Sequence, residues 1–277
     1  MSSPKKDNKP KIGLALGGGG ARGLAHIGVL KVLEEHGIKP DYMSGVSMGA
    51  LIGAFYTTGV DLEELEKEAV NLTKAKAVKK FVDLNNPQKS ILKGNKAHKY
   101  IKNWIGDSTF GSTKIPFRII ASDLASGEEV VLKRGSLADA VRASISVPGI
   151  FPPVKMNNRY LVDGGVLNST PVNVLEKMGA DIIIGVDLII KRKVELEKPS
   201  MMATLIQSYE VMRSYGTKVN IEKINKNAIV IKPHLRGTID SFKFYNIKKF
   251  IESGEKATRT ALPRIKKRIR DFEENGG

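Results

Sequence analysis

The sequence contains no cysteine and only four histidines among its 277 residues. The lack of cysteine excludes disulfide bonds, a cysteine nucleophile and thiolate metal sites. The scarcity of histidine disfavours a metal site that is built from several imidazoles. Any chemistry in this chain must therefore do without a thiolate or a cluster of imidazole ligands.

Aromatic residues make up only 6% of the chain, and no nucleic-acid-binding module accompanies its basic residues. Proteins that bind nucleic acid usually have such a module or interleaved aromatics, so we expect no nucleic-acid partner. Long hydrophobic runs are also missing. The apolar stretch 182–190 is interrupted by Asp187 and is far shorter than the about 20 residues that span a membrane. These absences predict a soluble, cytoplasmic protein.

Positively charged residues are in excess. The 45 lysines and arginines outnumber the 29 acidic residues, which leaves a net charge of +16. Such a charge either forms a solvated surface or attracts anionic lipid, with roughly 1 kcal/mol for each basic residue near the membrane. Peripheral contact with an anionic membrane through the basic surface is therefore one expectation from the sequence.

Short apolar segments alternate with segments of helical spacing near the N-terminus. The pattern predicts strands at 11–16 and 42–46 and helices at 23–36 and 48–57. This alternation indicates a parallel sheet with helices packed on it. Later strands are predicted at 117–121, 130–132, 160–162, 181–187 and 228–231. Later helices are predicted at 136–143, 172–178, 201–224 and 245–270, the last one interrupted at Pro263.

The chain shows no internal repeat and no glycine- or serine-rich linker, so one domain is predicted over 11–277. The polar residues 1–10 lack the apolar core of a signal peptide and are predicted to form a flexible tail. Residues 61–105 are rich in lysine, and their apolar residues recur at helical spacing. This pattern favours a lid-like helical layer at the surface.

A glycine-rich loop follows the first predicted strand and precedes the first helix. It has the sequence Gly18-Gly19-Gly20-Ala21-Arg22-Gly23. Its backbone N–H groups suit either a dinucleotide pyrophosphate or the oxyanion of a tetrahedral intermediate. A dinucleotide site needs an acidic residue at the end of the second strand, where this chain has glycine, valine and serine instead. The loop therefore favours an oxyanion hole.

A second glycine-flanked turn, Gly45-Val46-Ser47-Met48-Gly49, joins the second strand to the second helix. This G-x-S-x-G pattern is typical of a nucleophile elbow, in which a strained turn exposes the serine Oγ above the sheet. Gly45 and Gly49 avoid clashes that side chains would cause there. Ser47 is therefore the candidate nucleophile.

The general base for Ser47 is left open by the residues alone. A serine triad needs a histidine, and the candidates are His26, His36, His98 and His234. Of these, His234 follows a strand downstream of the serine. The alternative is Asp163, which ends a short strand and is followed by Gly164 and Gly165, so that its carboxylate is free to act directly.

Taken together and in this order, the three motifs resemble those of patatin-like phospholipases. That family carries a G-G-G-x-[RK]-G oxyanion loop, a G-x-S-x-G elbow and a D-G-[GA] motif. The segment 143–153 also resembles the family's Ala-Ser-x-x-x-Pro-x-x-Phe stretch. The resemblance runs from about residue 11 to 190 and is weaker over 201–277.

The resemblance implies a three-layer α/β/α sandwich with a mainly parallel central sheet. It implies a Ser47–Asp163 dyad that hydrolyses a lipid or another acyl ester through an acyl-enzyme, without a metal or cofactor. The oxyanion would be held at Gly18, Gly19, Gly20, Arg22 and Gly23. A non-catalytic module of the same fold that binds a protein partner is the alternative.

Overall fold

The computed structural model describes residues 9–72, 74–86, 90–189, 200–224, 228–234 and 247–275. Most of the predicted tail, residues 1–8, lies outside the described residues. The sequence Asn-Asn-Pro at 85–87 predicts a break within the lysine-rich segment, and Pro87 also lies outside the described residues. Within the described residues, no helix is long and apolar enough to cross a membrane.

A central sheet organises the described part of the chain. Its strands are β1 Ile12–Leu16, β2 Tyr42–Val46, β3 Phe117–Asp123, β4 Glu129–Leu132, β5 Val154–Met156, β6 Arg159–Asp163, β7 Ile182–Val186 and β8 Ala228–Ile231. The order is β5-β6-β3-β2-β1-β7-β8, with β4 paired to β3. β1, β2, β3, β7 and β8 run parallel, whereas β4, β5 and β6 pair antiparallel. The prediction of a mainly parallel sheet is confirmed.

Helices cover both faces of the sheet. They are α1 Ala25–Glu35, α2 Met48–Thr58, α3 Leu62–Val70, α4 Lys74–Phe81, α5 Asn95–Ile105, α6 Leu137–Ser144, α7 Val172–Lys177, α8 Met201–Ile224 and α9 Ile247–Asn275. Alternate residues of a strand point to opposite faces. Accordingly Leu14 and Leu16 of β1 pack into the large core with α1, α2 and α9, while Ala15 packs with α7. The three-layer α/β/α architecture is confirmed.

Helix α9 packs very closely against α1 because both carry glycine at the contact. A Cβ at Gly28 would lie 2.1 Å from the carbonyl oxygen of Ile251, and one at Gly254 would lie 2.0 Å from that of Ala25. The predicted interruption at Pro263 is wrong, since α9 continues through it. Pro263 lies on the exposed side of α9. Water can therefore satisfy the carbonyl that the proline leaves without an N–H partner.

A hairpin at the sheet edge was not predicted. β5 and β6 are joined by Asn157 and Asn158, which both have positive φ, 47° and 64°. Asparagine tolerates this conformation, and two such residues in a row form the tight turn that suits a hairpin. The hairpin extends β6 and thereby fixes the strand that ends in Asp163.

Helices α3 and α5, from the lysine-rich segment 61–105, pack against α1, α2 and α6. Their apolar side chains Leu62, Leu65, Ala69, Ile101 and Ile105 belong to the main core. The lid-like role of 61–105 stays a prediction, as does the single-domain boundary at residue 11.

Candidate active site

Ser47 occupies the junction between β2 and α2 in a strained conformation, with φ 55° and ψ −124°. A side chain at either flanking glycine would collide with backbone. A Cβ at Gly45 would lie 2.6 Å from the oxygen of Gly49, and one at Gly49 would lie 2.1 Å from the oxygen of Leu16. Positive φ is costly for serine, so the local sequence and the tight packing together hold the elbow.

Ser144, at the end of α6, connects the elbow to the neighbouring strand β3. Its Oγ accepts a hydrogen bond from the amide of Ser47 at 2.9 Å and donates one to the carbonyl of Ile120 at 2.6 Å. Ser144 is fully buried. The hydroxyl thus ties the strained residue to β3, a contact that was not predicted.

Asp163 ends β6 and is completely buried, with an exposed fraction of 0%. Its amide donates to the carbonyl of Ser146 at 2.9 Å, and its Oδ1 accepts from the amide of Gly165 at 2.7 Å. A Cβ at Gly164 would lie 2.4 Å from the oxygen of Ile120, so the turn after Asp163 needs glycine. The segment 143–153 therefore holds both residues, through Ser144 and Ser146.

The sheet register brings Ser47 and Asp163 together. β3 lies between β2 and β6, with Val46 paired to Ile120 and Asp163 paired to Ala121. The two residues are thus two strand spacings apart, roughly 10 Å between backbones, which two side chains can bridge. Among the described residues, none donates a hydrogen bond to Oδ2 of Asp163. The Ser47 hydroxyl is nevertheless near enough to lower the pKa of the Asp163 carboxyl.

Burial is the largest influence on Asp163 and raises the pKa of its carboxyl above the ordinary value. Smaller influences act in the opposite direction and come from hydrogen-bond donors and one cation: Ser47, Gly165, Arg213 and Tyr209. The net pKa remains raised. A raised pKa makes a carboxylate a stronger base than a solvated one.

The glycine loop lies directly beside Ser47. A Cβ at Gly18 would be 3.3 Å from Cβ of Ser47, and one at Gly23 would be 2.3 Å from Cγ of Met48. The Gly18 amide already donates to the carbonyl of Ser169 at 2.9 Å. Gly19 and Gly20 begin a 3-10 helix, Gly20–Leu24. The first N–H groups of a helix have no partner within it, so these two amides are the loop's candidate donors to an oxyanion.

Two buried side chains shape the loop. Nε of Arg22 donates to the carbonyl of Gly19 at 3.2 Å, so this guanidinium is bound to the backbone of the loop. Nε2 of His26 lies 2.7 Å from the carbonyl of Gly17. Burial lowers the pKa of His26 to about 4. His26 is therefore neutral at pH 7 and donates from Nε2, so it positions the loop and does not serve Ser47.

Comparison with known proteins identifies the family of this chain. Residues 14–176, more than half of the chain, match the model of the family described as patatin-like phospholipase. The chain belongs to the patatin-like phospholipase family.

Proteins described as NTE family members or as a neuropathy target esterase are similar to this chain. An uncharacterized NTE family protein of Mycobacterium tuberculosis is 36% identical over 181 residues, which cover 65% of this chain and 50% of the relative. A second one from that organism is 28% identical over 91% of this chain and 46% of the relative. Neuropathy target esterase sws of Drosophila melanogaster is 36% identical over 64% of this chain but only 13% of its own length. The chain thus spans at most about half of the curated relatives described here.

Solved structures show the shared fold. VipD from Legionella pneumophila is 13% identical, with a TM-score of 0.53 over 93% of this chain and 67% of VipD. Human GIVD cytosolic phospholipase A2, solved in complex with methyl gamma-linolenyl fluorophosphonate, is 12% identical. Its TM-score is 0.50, over 100% of this chain and 61% of the human chain.

Helix α8, which lies beyond the segment that matches the patatin family model, brings side chains to Ser47 and Asp163 that were not predicted. Arg213 is fully buried, donates to the carbonyl of Gly18 and donates from Nε to Oγ of Ser169 at 2.9 Å. Tyr209 contributes to the surroundings of Asp163. The one signal in the sequence is the spacing of Tyr209, Arg213 and Thr217, which places three buried polar groups on one face of a helix.

None of the four histidines, all within the described residues, pairs with Ser47. His98 bonds Asp139 at 2.8 Å, His36 bonds the carbonyl of Val32, and His26 bonds Gly17. His234 is exposed and follows β8, three strands from β2 and thus roughly 14 Å away. Among the described residues no group of three or more His, Asp or Glu lies close enough to hold a metal ion.

Proposed function

We propose that this chain is a serine acyl hydrolase, a carboxylic ester hydrolase that releases fatty acid from phospholipid or a related lipid ester. The observation that carries the proposal is the strained Ser47 beside the buried Asp163. The description of the family as phospholipase and the name of the fly relative, an esterase, support the same reaction class.

In the proposed reaction, Oγ of Ser47 attacks the ester carbonyl and Asp163 takes the hydroxyl proton. The new C–O bond converts the carbonyl to a tetrahedral oxyanion, which accepts hydrogen bonds from the amides of Gly19 and Gly20. Collapse breaks the bond to the alcohol, which leaves with the proton from Asp163. Asp163 then removes a proton from water, which attacks the acyl-enzyme, and the fatty acid leaves as Ser47 recovers its proton.

The electrostatics of the site support this division of roles. The raised pKa of Asp163 makes proton removal from a hydroxyl less unfavourable than it is for a solvated carboxylate. The buried cations Arg22 and Arg213 donate to the carbonyls of Gly19 and Gly18. They hold the loop carbonyls away from the oxyanion, so that the amides face it. Loss of a single oxyanion donor typically lowers turnover about 100- to 1000-fold.

The surface of α8 supports peripheral contact with an anionic membrane. Four of its apolar side chains are exposed on one stripe: Met201, Leu205, Met212 and Tyr215. At 3.6 residues per turn they fall within about 80° around the helix axis. Arg213 lies about 115° around the helix axis from the centre of this stripe, so one helix contacts both solvent and the site. The net charge of +16 adds attraction to anionic lipid.

Vesicle binding tests this contact. We expect more co-sedimentation with phosphatidylglycerol-containing vesicles than with phosphatidylcholine alone. Met201→Ser combined with Leu205→Ser is expected to weaken binding. Leu84→Ser, at a side chain exposed to 71% elsewhere, is the matched control and is expected to bind normally. Equal binding by all three proteins would refute the role of α8.

Ester hydrolysis tests the reaction itself. Wild type is expected to cleave p-nitrophenyl esters and phospholipid, while Ser47→Ala and Asp163→Asn are inactive. His234→Ala is the control and is expected to retain wild-type activity, because His234 is far from the elbow. Full activity in Asp163→Asn together with loss in His234→Ala would replace the dyad by a triad.

A further inference from the structure

We propose that Tyr209 of α8 is a positioning residue for Asp163, to which its phenol donates a hydrogen bond. This inference rests on the proposed function, and it adds a third group, from beyond the segment that matches the family model, to the Ser47–Asp163 pair.

Tyr209 and Asp163 converge on one small space beside Gly165. A Cβ at Gly165 would lie 2.8 Å from the phenol oxygen of Tyr209 and 3.0 Å from Oδ1 of Asp163. Tyr209 is only 4% exposed, and its ring packs with Val147 and Ile150. Glycine at 165 therefore leaves the room in which the phenol reaches the carboxylate.

Arg213 holds Tyr209 in this place. Its guanidinium lies 5.4 Å from the centre of the Tyr209 ring, within the range of a cation–π contact. The same guanidinium is anchored to Gly18 and Ser169 and pairs with Glu210 at 3.0 Å. Tyr209 and Arg213, one turn apart on α8, thus connect Asp163 to the glycine loop.

The chemistry of a buried base explains what the phenol supplies. Burial disfavours the ionised carboxylate of Asp163, and each hydrogen bond donated to it restores the ionised form. Burial first, and then the charge of Asp163, raise the pKa of Tyr209 well above its ordinary value. Tyr209 therefore stays protonated and donates. It keeps the carboxylate ionised and oriented while Ser47 presents its proton to the same group.

The groups that face Asp163 come from several elements. Ser47 approaches from the elbow, Gly165 from its own turn, and Tyr209 and Arg213 from α8. Loss of the Tyr209 hydroxyl removes one donor and leaves two donors, Ser47 and Gly165, and the cation Arg213. The pKa of Asp163 must then rise further, and the fraction of ionised base at a pH on the acid limb must fall.

The test is a titration of the Asp163 carboxyl by NMR on protein labelled with ¹³C-aspartate, with Asp163→Asn to assign the signal. We expect Tyr209→Phe to raise the pKa of Asp163 by about one unit, since a hydrogen bond to a charged group contributes about 1.5 kcal/mol. Tyr215→Phe is the matched control on the same helix, at a side chain exposed to 71%. It is expected to leave the titration unchanged.

The pH profile of kcat/KM for a soluble ester gives the second measurement. Tyr209→Phe is expected to move the acid limb to higher pH, with a loss of about tenfold on that limb and little change well above it. Thermal unfolding of each variant verifies the fold. An unshifted Asp163 titration in folded Tyr209→Phe would overturn the proposal, and so would an equal loss at every pH. A shifted titration in a protein without Ser47-dependent hydrolysis would retain the contact and reject the proposed function.

Discussion

The amide nitrogen of Ser47 lies 2.9 Å from Oγ of Ser144, to which it donates a hydrogen bond. The bond spans 97 residues of sequence and fixes the one residue of the elbow whose backbone is strained. Ser144 in turn donates to Ile120 of β3, the strand that also pairs with Asp163 through the next residue. A single hydroxyl therefore links the two sides of the candidate dyad.

Replacement of Ser144 by alanine tests this link. The change leaves the Ser47 amide and the Ile120 carbonyl without their buried partner, which costs about 1 to 3 kcal/mol of unfolding free energy. We also expect at least a tenfold loss of kcat, because the elbow relaxes. Urea unfolding and ester hydrolysis measure the two effects. Ser136→Ala removes the cap of the same helix and costs about 1 kcal/mol, but it is expected to leave kcat unchanged.

Gly49→Ala tests the packing of the elbow. Alanine usually stabilises a helix by about 1 kcal/mol relative to glycine, but here the added Cβ would lie 2.1 Å from the oxygen of Leu16. We expect a net destabilisation of about 3 kcal/mol, since well-packed backbone cannot give way cheaply. Gly111→Ala is the control, because its Cβ would meet nothing closer than 3.6 Å. A stable Gly49→Ala protein would contradict this account of the elbow.

His26 predicts a dependence of stability on pH. Its folded pKa, about 4, is below the ordinary 6.5, so the unfolded chain binds the proton first as the pH falls. This contribution to stability is present above pH 6.5 and is lost as the pH falls toward 4, by about 2 kcal/mol between pH 7 and 5. His26→Gln keeps a donor for Gly17 and removes the titration. Urea unfolding at the two pH values should therefore show that the free energy of unfolding decreases less from pH 7 to pH 5 in the variant than in wild type. An identical decrease in both proteins would refute this role of His26.

Burial of the charged Asp163 carboxylate is expected to lower the free energy of unfolding at pH 7. Its folded pKa is raised by burial, so its contribution to stability is present below the ordinary carboxyl pKa and is lost as the pH rises through the folded value. Asp163→Asn is neutral at every pH and should melt at a higher temperature than wild type at pH 7. The gain should shrink toward acid pH. Ser47→Ala is equally inactive but keeps the charge, and it should show no such pH-dependent gain.

Features with a local cause were predictable from the sequence. The glycines around Ser47 mark a turn that only glycine allows, and Ser136 caps α6, which begins at the next residue. β8 and α8 have the bounds that their patterns indicated. In each of these cases the residues that decide the structure lie within a few positions of one another.

Features that depend on distant contacts were not predictable. Arg213 and Gly18 are 195 residues apart. Because α8 carries apolar residues around its whole circumference, the spacing of Tyr209 and Arg213 on one face did not by itself mark that face as inward-facing. Pro263 was predicted to be a break because proline opposes helices locally. Buried side chains of α9 before and after Pro263, such as Leu262 and Ile265, maintain the helix. The choice of Asp163 over a histidine likewise required the resemblance of three motifs, because the strands that bring Asp163 near Ser47 are far apart in the sequence.

Covalent labelling with a fluorophosphonate tests the central claim most directly. The reagent is an analogue of the acyl ester that forms a stable bond only with an activated serine. Intact-mass analysis of folded wild type is expected to show one adduct, mapped by peptide digestion to Ser47. The adduct should be absent in Ser47→Ala and should form far more slowly in Asp163→Asn than in His234→Ala. Folded wild type that stays unlabelled, or that is labelled at another residue, would contradict the account and favour a non-catalytic member of the family.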